Sequence, residues 1–140
     1  MMFKKILLAA DGSLHSLRAA EKAIEIAKLN PYSFVDVVYV VDGKTSKEDV
    51  LHNWNQIDTE TKRRKKMEMI EKKAQKDHVN YDVKIIRGEP GQTIVKFAND
   101  HQYDLVVIGS RGLNMMQEMV LGSVSHKVAK RVKCPVLIVK

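Results

Sequence analysis

The sequence predicts an α/β fold: a mainly parallel sheet of five strands with helices on both faces. Three observations carry this. Apolar runs recur at Ile6-Leu7-Leu8-Ala9-Ala10, Phe34–Val41 (nearly all apolar), Leu105-Val106-Val107-Ile108 and Pro135–Val139, and near-continuous runs of this kind suit strands covered on both faces. Between them, apolar residues fall at spacings of three and four, the helical period. The two kinds of segment alternate from end to end, which calls for parallel strands joined by crossover helices.

Each element has a local justification. Lys4 to Ala10 reads as the first strand, broken by Asp11-Gly12-Ser13. Ser13 is an N-cap candidate for a helix whose buried stripe is Leu17, Ala20, Ile24 and Ala27. Asn30-Pro31 ends that helix. Phe34 to Val41 is the second strand, ended by Asp42-Gly43. Residues 44–78 are the most polar section; Val50, Trp54 and Ile57, then Met67, Ile70 and Ala74, keep helical spacing as one long helix or two short ones. Tyr81, Val83 and Ile85 alternate with Asp82, Lys84 and Ile86, a half-exposed third strand at a sheet edge. Gly88-Glu89-Pro90-Gly91 turns into a short helix with Ile94, Val95, Phe97 and Ala98 inward. Asp104 to Ile108 is the fourth strand, Ser123 to Val132 the last helix, and Pro135 to Val139 the fifth strand.

Bulk properties narrow the function classes. The 140 residues suit one domain spanning 1–140, with no linker, repeat or low-complexity tract. The apolar runs are too short to cross a membrane. The apolar stretch after Met1-Met2-Phe3-Lys4-Lys5 stops at Asp11, short for a secretory leader, so the expected location is cytoplasmic. The single cysteine, Cys134, allows no internal disulfide, zinc cluster or CxxC pair. The net charge of +7 favours anionic ligands. Aromatics are sparse and not interleaved with the basic residues, which argues against nucleic acid.

The chemistry concentrates at Gly109-Ser110-Arg111-Gly112, a nine-residue connection, and Gly122-Ser123-Val124-Ser125. A buried strand ends in glycines, and another glycine opens a helix with two serines in its first turn. Glycines let backbone approach a ligand closely, and a helix start offers N–H donors and partial positive charge, so the pattern reads as a phosphate or nucleotide site. Ligands of such sheets bind outside the carboxyl ends of strands; if strands one and four are neighbours, Asp11 meets this loop in one crevice. Two better-known loops fail. Gly43-Lys44-Thr45 resembles the end of a P-loop, but Val38 stands where its first glycine is needed. No segment reads GxGxxG after a strand.

Taken together these motifs resemble the universal stress protein family, in its single-domain, ATP-binding form. The likeness runs through Lys4–Ser13, Gly88-Glu89-Pro90, Tyr103–Gly112, Leu121–Ser125 and Cys134–Val139, and the family's pattern G-x2-G-x9-G-[ST] is met in full. The resemblance implies a Rossmann-like sheet of order 3-2-1-4-5 and a homodimer paired through the last strand, about Pro135 to Val139. It implies ATP with Mg²⁺ as ligand. Ala9 and Ala10 would flank the base, Val41 would meet adenine through its backbone, and Asp11 would contact the ribose or a metal-bridged phosphate. Gly109, Arg111 and Gly112 would line the phosphate path. Gly122, Ser123 and Ser125 would hold the β- and γ-phosphates, with Val124 between them. Some relatives have proline where Ala10 stands.

No residue presents itself as a catalytic base. His15, His52, His78, His101 and His126 show no ligand spacing, so the implied role is a stress-response regulator that holds ATP, with slow hydrolysis or none. The alternatives are a nucleotide-independent dimeric interaction platform and an enzyme on another substrate; the intact glycine pattern argues against the first. Met115, Met116 and Met119, in the nine-residue connection, suit local packing or a flexible apolar cover over the nucleotide.

Overall fold

The computed structural model describes residues 3–11, 14–41, 65, 68–111 and 121–140. Strands β1 (Lys5–Ala10), β2 (Phe34–Val41), β3 (Asn80–Arg87), β4 (Leu105–Gly109) and β5 (Val136–Val139) form one sheet. Its order is β3-β2-β1-β4-β5, with every neighbouring pair parallel. The helices are α1 (Leu14–Ala27), α2 (described over residues 68–76), α3 (Pro90–His101) and α4 (Ser123–Arg131). Gly12, Ser13, Asp42, Gly43, Trp54, Gly112, Met115, Met116 and Met119 lie outside the described residues. Among those described, no helix is long and apolar enough to cross a membrane.

Strand β1 shows why the central runs are apolar at every position. Ile6, Leu8 and Ala10 face one side, against Ala19, Ala20, Ala23 and Ile24 of α1 and Ile70 and Ala74 of α2. Leu7 and Ala9 face the other, against Ile94 and Ala98 of α3 and Val128 of α4. Ile6, Leu7 and Leu8 are wholly buried, each worth about 1.5–3 kcal/mol of transfer free energy. The alanine stripe of α1 lets that helix lie close to the sheet.

Two findings depart from the sequence pattern. β3 is an edge strand in unbroken alternation, but its apolar face is not covered to the end. Tyr81 and Val83 pack on the α1 side and Ile86 on the other, while Ile85 is 71% exposed. β2, apolar by pattern, buries Asp36, which accepts a 2.5 Å hydrogen bond from Tyr103 Oη. Lys84 Nζ stands 3.6 Å from its other oxygen. At the same edge of the sheet, Asp104 accepts from the backbone N–H of Lys4 (3.1 Å) and Lys5 (2.9 Å).

Candidate functional site

β1 and β4 are direct neighbours, with Ala9 beside Ile108, so Asp11 and the segment after Gly109 emerge side by side at the carboxyl edge. Between them opens a cleft of about 360 Å³, within the usual range for small-molecule sites. β1 supplies Ala9, Ala10 and the following Asp11, and β4 supplies Ile108, Gly109 and the following Arg111. Gly122, Ser123, Val124 and Ser125 close one side. Val40, Pro90, Ile94 and Ser16 complete the wall, and pattern reasoning named none of these four as site residues. Pro90 and Ile94 belong to the start of α3, which the sequence presented only as a turn and a packed helix.

Ser110 ties the loop together. Its carbonyl accepts from the Gly122 N–H (2.7 Å) and from Ser125 Oγ (2.9 Å), and its own N–H donates to the Val139 carbonyl (2.8 Å). Its hydroxyl lies 3.4 Å from His15 Nδ1. Gly122 fits tightly against this hub: a Cβ there would stand 3.2 Å from the Ser110 carbonyl oxygen and 3.4 Å from Ser125 Oγ. Gly109 is required by the approach of α1, since a Cβ would come within 2.8 Å of the His15 carbonyl carbon.

The hydroxyls of the glycine motif divide in their surroundings. Ser125 is buried, and its hydroxyl is engaged with the carbonyls of Ser110 and Gly122 (3.1 Å to the latter), bracing the loop. Ser123 is exposed and faces the open volume. At β2 it is Val40 that lines the cleft; the neighbouring Val41 carbonyl accepts from Gly88 N–H at 2.9 Å.

Two helix starts flank the cleft and differ in one respect. α3 is capped by Glu89, whose carboxylate accepts from the N–H groups of Gly91 (3.1 Å) and Gln92 (2.7 Å). The Gln92 N–H bond above all, opposed by partial burial and supported by Gly91 and Lys127, holds the Glu89 carboxyl below the usual carboxylate range. α4 starts on Gly122, which offers no side-chain acceptor. Its first-turn N–H groups therefore lack the partner that Glu89 gives α3, at the end of the helix that carries partial positive charge.

The remaining candidates fall elsewhere. His101 stacks on Phe97 at 4.2 Å between centroids, His78 sits in a left-handed turn, and His126 is on the exposed side of α4. Cys134 is half-buried, and burial pushes its thiol up. No group of three or more metal-ligating side chains occurs among the described residues. Asp11, the single carboxylate of the cleft wall among the described residues, suits a Mg²⁺ shared with phosphates, since that ion needs only one or two carboxylates beside them.

Comparison with known proteins agrees with this arrangement. Residues 2–140 match the family model described as the universal stress protein family. Universal stress protein YxiE of Bacillus subtilis is 34% identical, with 99% of this chain and 100% of that protein covered. The solved structure of protein MJ0577, whose curated sequence is from Methanocaldococcus jannaschii, superposes with a TM-score of 0.82 at 30% identity, covering 100% and 97% of the two chains. An Archaeoglobus fulgidus universal stress protein in complex with dAMP shares the fold, with a TM-score of 0.70 at 23% identity over the full length of both. So do an Arabidopsis thaliana member with AMP bound (0.68, 21%, covering 98% and 91%) and a universal stress protein in complex with cAMP (0.71, 24%, covering 99% and 98%). This chain belongs to the universal stress protein family.

Proposed function

We propose that the cleft binds ATP, with Mg²⁺ between the phosphates and Asp11, and that the chain is a cytoplasmic, homodimeric stress-response regulator that holds the nucleotide with slow turnover or none. The uncapped start of α4 carries this reading. Gly122 leaves the first-turn donors open to the cleft, while α3 beside it fills its own start with Glu89. A phosphate at α4 gains about 0.3–1 kcal/mol from the helix dipole and about 1.5–3 kcal/mol for each hydrogen bond to its charge. Arg111 can fork two phosphate oxygens. The apolar part of the wall, Ala9, Ala10, Val40 and Ile94, suits a purine. The dAMP, AMP and cAMP complexes of other family members support an adenine nucleotide in this fold. Asp11 and Arg111 are the ionisable residues of the described wall, and both serve binding in this reading, which is why holding is favoured over hydrolysis.

The dimer reading rests on β5, which among the described residues pairs only with β4 and leaves all four of its side chains half-buried. An edge of that kind is a template for a second strand.

The test is thermal melting with millimolar MgATP. A ligand that binds only the native state stabilises it, by about 2.7 kcal/mol at a hundredfold excess over Kd. A clear upward shift is expected, and its loss in Gly122→Val, whose branched side chain would meet the Ser110 carbonyl and Ser125 Oγ. No shift in the wild type would overturn the reading and favour the nucleotide-independent platform. Light scattering giving the mass of one chain would overturn the dimer.

A further inference from the structure

A second cleft, of about 380 Å³, opens along α4 and is lined by Leu121, Ser123, His126, Lys127, Lys130 and Arg131. Ser123 lines this cleft and the first one alike. Ser123, Lys127 and Lys130 follow one another at helical spacing on one face, so Lys130 lies roughly 10 Å along the axis from Ser123. The cations are not consumed by internal ion pairs to the same degree. Lys127 stands 3.6 Å from Glu89, but among the described residues no carboxylate comes within 4.0 Å of Lys130, Arg131 or His126. Lys130 and Arg131 are both exposed. A positively lined cleft that continues from a phosphate-sized opening at a helix start is suited to more of the same anion.

We propose that the second cleft receives the far end of the nucleotide's own phosphate chain, so that the site prefers an adenine nucleotide with four or more phosphates over ATP. This rests on the nucleotide reading above and adds a ligand class to it. The first phosphates sit at the Gly122–Ser125 turn, the chain passes Ser123, and the terminal groups lie among Lys127, Lys130 and Arg131.

The experiment is calorimetric titration of AMP, ATP and adenosine 5′-tetraphosphate, with Mg²⁺, into the wild type and the double variant Lys130→Ser/Arg131→Ser. The wild type is expected to bind the tetraphosphate about three- to tenfold more tightly than ATP, the scale of two solvent-exposed ion pairs. The double variant, with its melting temperature checked against the wild type, should bind AMP equally well and lose that preference. Equal affinity for ATP and tetraphosphate in the wild type, or a preference that survives the double substitution, would overturn the proposal and leave the nucleotide site standing. Absence of AMP and ATP binding would overturn both.

Discussion

Replacing Tyr103 with phenylalanine should destabilise the fold by about 2–3 kcal/mol. The hydroxyl donates at 2.5 Å to Asp36, which is only 4% exposed. The other Asp36 oxygen has no hydrogen-bond partner among the described residues, and Lys84 reaches it only at 3.6 Å from a side chain 38% exposed. Removing one hydroxyl therefore takes away the principal donor of a buried carboxylate, and a bond to a charged group is worth about 1.5–3 kcal/mol. Packing is preserved, because the ring keeps its stack on Phe97 at 5.9 Å and its contact with Lys5 Nζ at 4.8 Å. Urea unfolding followed by circular dichroism should show a lower midpoint with unchanged slope, and melting should fall by roughly 6–12 °C. The double variant Tyr103→Phe/Asp36→Leu removes both partners and should recover to within about 1 kcal/mol of wild type. Burial, with the Asp36 bond and charge, pushes the Tyr103 phenol far above its ordinary value. Its contribution is thus whole below the unfolded phenol's value near pH 10 and is withdrawn as pH rises from there toward the folded value. Tyr103→Phe should flatten that alkaline loss. A single variant within about 0.5 kcal/mol of wild type would refute the assignment of Asp36 to Tyr103.

Further outcomes follow from the same geometry. Glu89→Ala removes the acceptor for the Gly91 and Gln92 N–H groups and should cost about 1 kcal/mol at neutral pH. Because the folded Glu89 carboxyl is held below its usual range, chiefly by Gln92 N–H, that contribution is present above the unfolded value and is lost as pH falls through the folded one. Urea midpoints that differ equally at neutral and acid pH would contradict it. Gly109→Ala should cost about 1–3 kcal/mol, since its Cβ would meet His15 backbone atoms at 2.8–2.9 Å. Gly91→Ala, whose nearest obstacle is the movable Lys127 Cδ at 2.7 Å, should cost clearly less; the reverse ranking in urea would refute both.

The central strands were readable because a strand buried on two faces must be apolar, and β1 from Ile6 onward and β4 obey that. The order of strands was not readable from periodicity, because each crossover can return on either side of its strand; it came only with the family resemblance, and the fold agrees. Asp36 shows the opposite failure. A lone carboxylate within valines looks like a flaw until its partner is known, and Tyr103 lies 67 residues away. At the site, the spacing of Gly122, Ser123 and Ser125 located the turn, but spacing carries no information about which way a hydroxyl donates. The bracing role of Ser125 becomes apparent only when Ser110 is brought beneath it by the β1–β4–β5 arrangement.

The two edges of the sheet handle their polar groups differently, and that difference is the physical basis for placing function at one of them. At the amino edge the chain's own side chains take up polar groups: Asp104 accepts from the N–H groups of Lys4 and Lys5, and Tyr103 donates to one oxygen of Asp36. At the carboxyl edge α3 does the same through Glu89. An aspartate or serine at position 122 would have done it for α4 as well, adding a few tenths of a kcal/mol to the helix over glycine. The chain instead has a glycine there, which fits against the Ser110 carbonyl and leaves the helix start with no side-chain cap among the described residues. For stability alone the choice is close to neutral, since a serine would add only a few tenths of a kcal/mol as a cap and its Cβ would press on the Ser110 carbonyl. A fold that must present backbone donors to an external anion gains the site itself, and Gly122→Ser separates the two: its capping gain of a few tenths of a kcal/mol is set against a Cβ 3.2 Å from the Ser110 carbonyl oxygen, so the stability of the unliganded protein should stay within about 1 kcal/mol while MgATP binding weakens. A variant that loses more stability than that along with binding, or that keeps binding, would show that the glycine serves packing rather than the ligand.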